Sequence, residues 1–178
     1  TLSEGDAAFV ALAWDAPGPR TTDAAFARVQ DTVAAWRRWL KGGTFPDHPW
    51  RAHLERSALT LKGLTYAPTG AILAAATTSL PETPGGERNW DYRFSWLRDS
   101  AFLLRALYTL GFEREAFDYF AYLVETVGAG GDRPLVLYGI GGETDLAERR
   151  LDHLGGHRGA RPVRIGNDAA GQRQHDIW

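Results

Sequence analysis

Residues 89–100 read NWDYRFSWLRDS. Trp90, Tyr92, Phe94 and Trp96 fall on every second position, and Arg98 and Asp99 stand side by side just beyond them. These residue types suit the recognition of a sugar ring. Trp and Tyr present a flat apolar surface to the C–H face of a ring at low entropic cost. Arg and Asp catch hydroxyls, because charge-assisted hydrogen bonds are strong and directional. A few convergent polar groups between aromatic walls make a small-molecule site. A packing reading fits the same residues. Alternating aromatics form a strand with one buried face, Asp99 caps a helix that starts near residue 100, and Arg98 is solvated.

Other chemistry is less well supplied. Glu82, Glu87, Asp91, Asp99 and Glu143 are carboxylates, but their spacing defines no pair. Inverting cleavage of a glycosidic bond needs two carboxyls about 6.5–9.5 Å apart, with a water between one of them and the sugar. Of the five histidines, only His153 and His157 have i,i+4 spacing, and Gly155 and Gly156 between them break the helix such a pair needs. No catalytic metal and no cofactor is therefore expected. There is no GxSxG, Walker or GxGxxG pattern. GIGGE, residues 139–143, is a turn signal with one acid rather than a phosphate loop. ERNWDYR mixes bases and aromatics as single-strand nucleic-acid binders do, but a net charge of −2 argues against such a partner.

The elements that must position these residues read as follows. Residues 7–14, AAFVALAW, form a short apolar strand before the Pro-Gly-Pro at 17–19. Thr22 or Asp23 caps a helix whose seam is Phe26, Val29, Val33, Trp36 and Leu40, and Gly42 stops it. It is expected as a docked linker helix. A Pro-punctuated turn at 44–50 leads to a second helix with Leu54, Ala58 and Leu61 on one face, broken at 66–70. Residues 71–87 are expected as an extended segment and then a loop. SAFLLRALYTLGF is apolar on most sides and reads as a buried helix ended by Gly111. A further helix follows, with Phe117, Phe120, Val124 and Val127 in register, ended by Gly128. Two helices across so short a turn make an antiparallel hairpin, with the first helix inside and the second outside. PLVLYGI (134–140) is extended. The stretch to residue 166 is loop-like, with one helical turn around DLAERRLDHL, and NDAAGQRQHDIW starts like a helix.

The chain has 178 residues, 44% of them hydrophobic and 24% charged, which is ordinary globular composition. No apolar run approaches the roughly 18 residues of a membrane span, so no membrane partner is expected. The absence of cysteine excludes disulfides and fits a reducing, cytoplasmic compartment. The chain opens at Thr1 without an initiator Met and stops at Trp178 without a capping signal. It reads as a fragment of a longer protein.

At SLPETPGGERNWDYRFSWLRDSAF the sequence resembles glycoside hydrolase family 15, the glucoamylase and bacterial trehalase-like group. LTLKGLTYAPTGAILAAATTSLPE is similar to that family's first barrel helix and following segment. LYGIGGETDLAERRLDHLGGHRGARPVRIGNDAAGQRQHDIW is similar to its bacterial branch. The resemblance covers about residues 50–178. It implies an all-α catalytic domain, the first part of an (α/α)6 toroid, truncated here. Residues 1–20 resemble the end of that branch's N-terminal β-sandwich domain, and residues 21–49 its linker helix and turn. It implies an inverting, exo-acting hydrolase of α-linked glucose, in trehalose or in malto- and isomalto-oligosaccharides. By the same match, Arg98 and Asp99 hold hydroxyls of the terminal glucose and Trp96 lines that subsite. Tyr92 lies near the ring oxygen and helps stabilise an oxocarbenium-like transition state. Arg164 and Asn167 of VRIGND resemble a second sugar-contacting segment. Trp90 and Phe94 are left to packing. The family's general acid and base fall beyond Trp178, so the chain is expected to be inactive by itself and to hold no catalytic residue. HDIW (175–178) resembles the residues before the catalytic acid but comes too soon after RIGND. Two other readings remain: a carbohydrate-binding protein without catalysis, and a phosphorylase on a similar toroid.

Overall fold

The computed structural model describes residues 2–129 and 133–174. The chain divides into two compact units, Thr1–Gly43 and Thr44–Trp178. Helices are the main regular elements, and none among the described residues is long and apolar enough to cross a membrane.

In the first unit, α1 (Thr22–Lys41) begins where the side chain of Thr21 accepts a hydrogen bond from the Ala24 N–H. None of its residues is buried. Of its expected seam, Phe26, Val29, Val33 and Trp36 are exposed. The strand expected at 7–14 is absent: the segment pairs with no other, and Val10, Leu12 and Trp14 are almost fully exposed. An extended run becomes a strand only when a neighbour takes its N–H and C=O groups, and no described residue does so.

The second unit holds α2 (Arg51–Gly63), α3 (Leu97–Thr109) and α4 (Glu113–Ala129). In α2, Ala58 is fully buried on the expected face, with Leu54 and Leu61 half-buried beside it. After α2 the chain turns at 67–69. Gly70, at φ +82°, meets the backbone of Asp118 so closely that a Cβ would lie 2.6 Å from its carbonyl oxygen. A glycine there lets the turn pack flush on α4.

α3 and α4 pack as the expected hairpin, turning at Gly111 with φ +78°. Two expectations about them are corrected. α3 was expected to be buried, yet only Ser100 and Leu107 are, and Phe102 and Tyr108 stand in solvent. α4 is the more buried helix, and the face it buries is Ala116, Tyr119, Tyr122, Leu123 and Thr126. Phe117, Phe120 and Val124 are exposed. Both stripes repeat every three or four residues, so periodicity alone does not choose between them. Polar chemistry does: Tyr122 Oη donates to the Gly139 carbonyl at 2.7 Å, and Tyr119 Oη reaches two serines.

The extended part is less regular than the helices. Residues 74–79 run antiparallel to 90–94, through Ala74 N–H to Phe94 O, Ala75 N–H to Tyr92 O and Ser79 N–H to Trp90 O, each 2.9 Å. The chain then becomes β1 (Ser95–Trp96), which pairs antiparallel with β2 (Leu137–Tyr138). β3 (Arg149–Arg150) pairs with β4 (Arg164–Ile165). The helical turn expected around 145–154 is therefore a strand and turns. Leu146, Leu151 and Leu154 are spaced five and three apart, which makes no single helix face, and the backbone is taken up by 163–167 instead. The helix expected from residue 167 is one 3-10 turn, Asp168–Gly171, whose cap Asn167 accepts from the Ala169 N–H at 3.0 Å. HDIW lies outside the described residues.

Candidate functional site: an aromatic recess at the start of α3

The 89–96 stretch alternates as expected, and the face it buries is not the aromatic one that the packing reading called for. The fully buried side chains are the polar ones, Asn89, Asp91 and Ser95, while Trp90, Tyr92, Phe94 and Trp96 are only partly covered. Burying polar groups is tolerable only when they are bonded. Asp91 accepts from the Arg93 guanidinium at 2.8 and 2.7 Å and from the Gly166 N–H at 3.1 Å. The bond to Asp91 is the chief reason that the Arg93 guanidinium titrates above its ordinary value. Ser95 meets Tyr119. Inward polar anchoring turns the aromatic rings outward.

Those rings form a recess of about 380 Å³. Trp90, Tyr92 and Trp96 line it from the aromatic stretch, and Arg98 from the first turn of α3. Glu148, Asn167, Asp168, Gln172 and Gln174 supply the rest of its polar lining. Underneath, Leu137, Leu146 and Ala169 form an apolar cluster against which Phe94 and Trp96 pack. Phe94 is thus the packing residue expected, whereas Trp90 belongs to the wall. A larger opening, about 570 Å³, lies along α4 beside Asp118 and Glu125 and shares no residue with the aromatic stretch.

Arg98 lies 5.4 Å above the Trp96 ring, donates to Gln174 Oε1 at 2.9 Å, and has its Nε 3.7 Å from Asp99 Oδ1. Asp99 is half exposed and is not on the recess wall. α3 starts three residues earlier than expected, with Trp96 at its cap, so Asp99 sits in the first turn, where the helix dipole favours an anion, rather than capping. Tyr92 Oη donates to Glu82 Oε1 over a long 3.4 Å. Its phenol titrates above the ordinary value, chiefly through burial, with the Glu82 charge adding to it.

The second expected segment splits. Asn167 reaches the recess, but its amide is engaged: Nδ2 donates to the Asp91 carbonyl at 3.0 Å while Oδ1 caps the 3-10 turn. Arg164 is not on the wall. It is buried behind it, with its guanidinium 4.6 Å over the Trp90 ring and Nη1 donating to the Glu87 carbonyl at 2.9 Å. Its backbone is clamped by Ser79, which accepts from the Arg164 N–H at 2.7 Å and donates to its carbonyl at 3.1 Å. Between Arg164 and Asn167, Gly166 has φ +79°, and a Cβ there would run into the Ala147 carbonyl.

Glu148 was missing from the candidate carboxylates. Its Oε1 is 2.8 Å from Arg164 Nε, an ion pair of two largely buried side chains without the alignment of a hydrogen bond. Its only sequence signal is its place in the segment that resembles the bacterial branch, where it was read as part of a helical turn. Of the candidates that were named, Glu143 accepts from the Gly141 N–H and closes its own turn. Among the described residues no group of three His, Asp or Glu side chains is placed to hold a metal ion.

Residues 49–178 match the model of the glycosyl hydrolases family 15, and the chain belongs to that family. It is 62% identical over 181 residues to a trehalase of Mycolicibacterium smegmatis and 61% identical to one of Mycobacterium tuberculosis, covering 99% of this chain in each case. A trehalase of Thermoplasma acidophilum is 44% identical over 89% of the chain. The chain spans about a quarter of the length of these curated relatives, 27% of each. No solved structure matches it.

Proposed function

We propose that the full-length protein containing these residues is an inverting, exo-acting glycosidase that releases glucose from trehalose. The observation that carries this reading is the recess: Tyr92, Trp96 and Arg98 converge on one 380 Å³ opening in a family 15 chain whose relatives are named trehalases. In this reading Trp96 and Tyr92 stack on and flank the terminal glucose, Arg98 catches its hydroxyls, and Asp99 joins from the rim once substrate draws its side chain inward. Arg98 and Asp99 are already within ion-pair distance, so a shared hydroxyl replaces part of a contact that exists.

Residues 50–178 form the first part of an (α/α)6 toroid, residues 1–20 the end of a β-sandwich domain, and residues 21–49 the linker between them. The general acid and base come from parts of the protein outside these residues. This chain alone then binds no more than half a subsite and hydrolyses nothing.

Glucose release from trehalose, maltose and isomaltose by the full-length protein tests the reading. Trehalose is expected to be cleaved fastest, with β- and α-glucose appearing in equal initial amounts by proton NMR, since the attacked ring inverts and the leaving glucose keeps its α-configuration. No release from any α-glucoside would remove the hydrolase claim and leave a binding protein. Phosphate-dependent formation of glucose 1-phosphate would instead mark a phosphorylase, and initial release of α-glucose alone would remove the inverting mechanism.

A further inference from the structure

Two residues that line the recess each carry a buried polar atom without a partner, and the two atoms are of opposite kinds. Glu148 Oε2 is an acceptor and Trp96 Nε1 is a donor; both are buried, and neither has a hydrogen-bond partner among the described residues. Leaving such atoms unmatched is costly to a fold. A hydroxyl donates one hydrogen and accepts others, so a polyhydroxylated ligand complements both atoms. The rings of Trp90, Tyr92 and Trp96 on the same walls suit the C–H faces of that ligand.

The Glu148 carboxylate is also held in place. Its side chain is 12% exposed, and Oε1 lies 2.8 Å from Arg164 Nε. Arg164 in turn is fixed by the Glu87 carbonyl and the face of Trp90. A carboxylate held by an ion pair at one oxygen, on a residue that lines the recess, needs only a small side-chain movement to offer its unpartnered oxygen to a ligand.

We propose that Glu148 is a substrate-binding residue, its Oε2 accepting a hydrogen bond from one hydroxyl of the sugar seated in the recess. The identity of that sugar rests on the glycosidase reading above. Arg164 is then a positioning residue that acts through Glu148 rather than touching the sugar.

The test compares the full-length wild type with Glu148→Gln and Glu148→Asp on trehalose and its monodeoxy derivatives. For wild type, loss of one particular hydroxyl lowers kcat/KM by about 10- to 100-fold, the range for a hydrogen bond to a charged group. The variants lose the same factor on trehalose and match wild type on that one analogue. Glu148→Asp keeps the charge beside Arg164 while withdrawing the carboxylate, so it reports the contact even where Glu148→Gln folds poorly. Variant losses that are equal on every analogue, or no loss on trehalose, overturn the assignment. Calorimetric binding of glucose and monodeoxyglucoses separates the two readings. Glu148-dependent glucose binding without hydrolysis of any α-glucoside overturns the glycosidase and keeps the assignment. Hydrolysis indifferent to Glu148 does the reverse.

Discussion

Asp91 shows how one buried residue sets the orientation of many. It is fully enclosed, and its two oxygens take hydrogens from Arg93 and from the Gly166 N–H. That bond joins the aromatic stretch to the VRIGND segment. Asp91→Asn keeps the shape but turns one acceptor into a donor facing Arg93 or Gly166. Urea denaturation of the full-length protein should show a loss of about 2 kcal/mol, the lower range for breaking a charged hydrogen-bonded pair, since Arg93 is partly solvated. Gly166→Ala should cost at least about 2 kcal/mol by the same measurement. The positive φ and the Ala147 carbonyl both oppose a Cβ. Tyr92, Trp96 and Arg98, which line the recess, were legible as candidates from their types, but packing fitted the same types and the family resemblance made the choice. Glu148 was not legible, because its significance depends on Arg164, sixteen positions along an aperiodic stretch.

At the level of elements, the start of α3 is held by its partner helix. Ser100 Oγ donates to the Trp96 carbonyl at 3.0 Å, so it accepts from Tyr119 Oη at 2.8 Å, and Tyr119 accepts from Ser95 at 3.1 Å. This chain of hydroxyls spans the turn that carries Trp96, Arg98 and Asp99. Tyr119→Phe removes its middle link. The expected outcome is about 1–2 kcal/mol lower stability together with weaker glucose binding, read by thermal melting and calorimetry. Unchanged affinity would mean that the turn holds its shape without α4. Helix positions and their hairpin followed from periodicity and from Gly111, but the buried face of α4 did not. Two stripes of equal spacing competed, and the winner was set by hydroxyl partners distant in sequence. The strand expected at 7–14 failed for a related reason, since a strand is a property of a pair. Residues 145–154 had helix-forming composition, yet pairing with 163–167 claimed their backbone.

Across the whole molecule, titration and surface both have measurable effects. Burial, aided by its stacked neighbour Tyr119, pushes the Tyr122 phenol from 10.0 up to about 12, and Tyr119 moves the same way. A raised pKa in the fold means that the folded state keeps a proton the unfolded chain releases. That stability is complete below about pH 10 and is lost as pH rises towards about 12. Melting temperature should therefore fall steeply over that window, and less steeply in Tyr122→Phe. The surface carries many apolar groups: Phe102 and Tyr108 on α3, and Phe117, Phe120 and Val124 on α4, are all exposed. Patches of this kind mark surfaces that pack against something else. The 178-residue chain expressed alone should bind a hydrophobic dye and self-associate, which fluorescence and light scattering would show.

The clamp between Ser79 and Arg164 also bears on how the site comes into being. Its partners are 85 residues apart, whereas the neighbouring β3–β4 ladder joins residues 14 apart. Closing the longer loop costs roughly 1.5 kcal/mol more chain entropy, from the logarithmic dependence on length. The clamp therefore forms after the ladder and the hairpin, near the end of the folding reaction. In amide hydrogen exchange, the Arg164 N–H, bonded to Ser79, should be released through a smaller opening than the amides of the ladder and the hairpin.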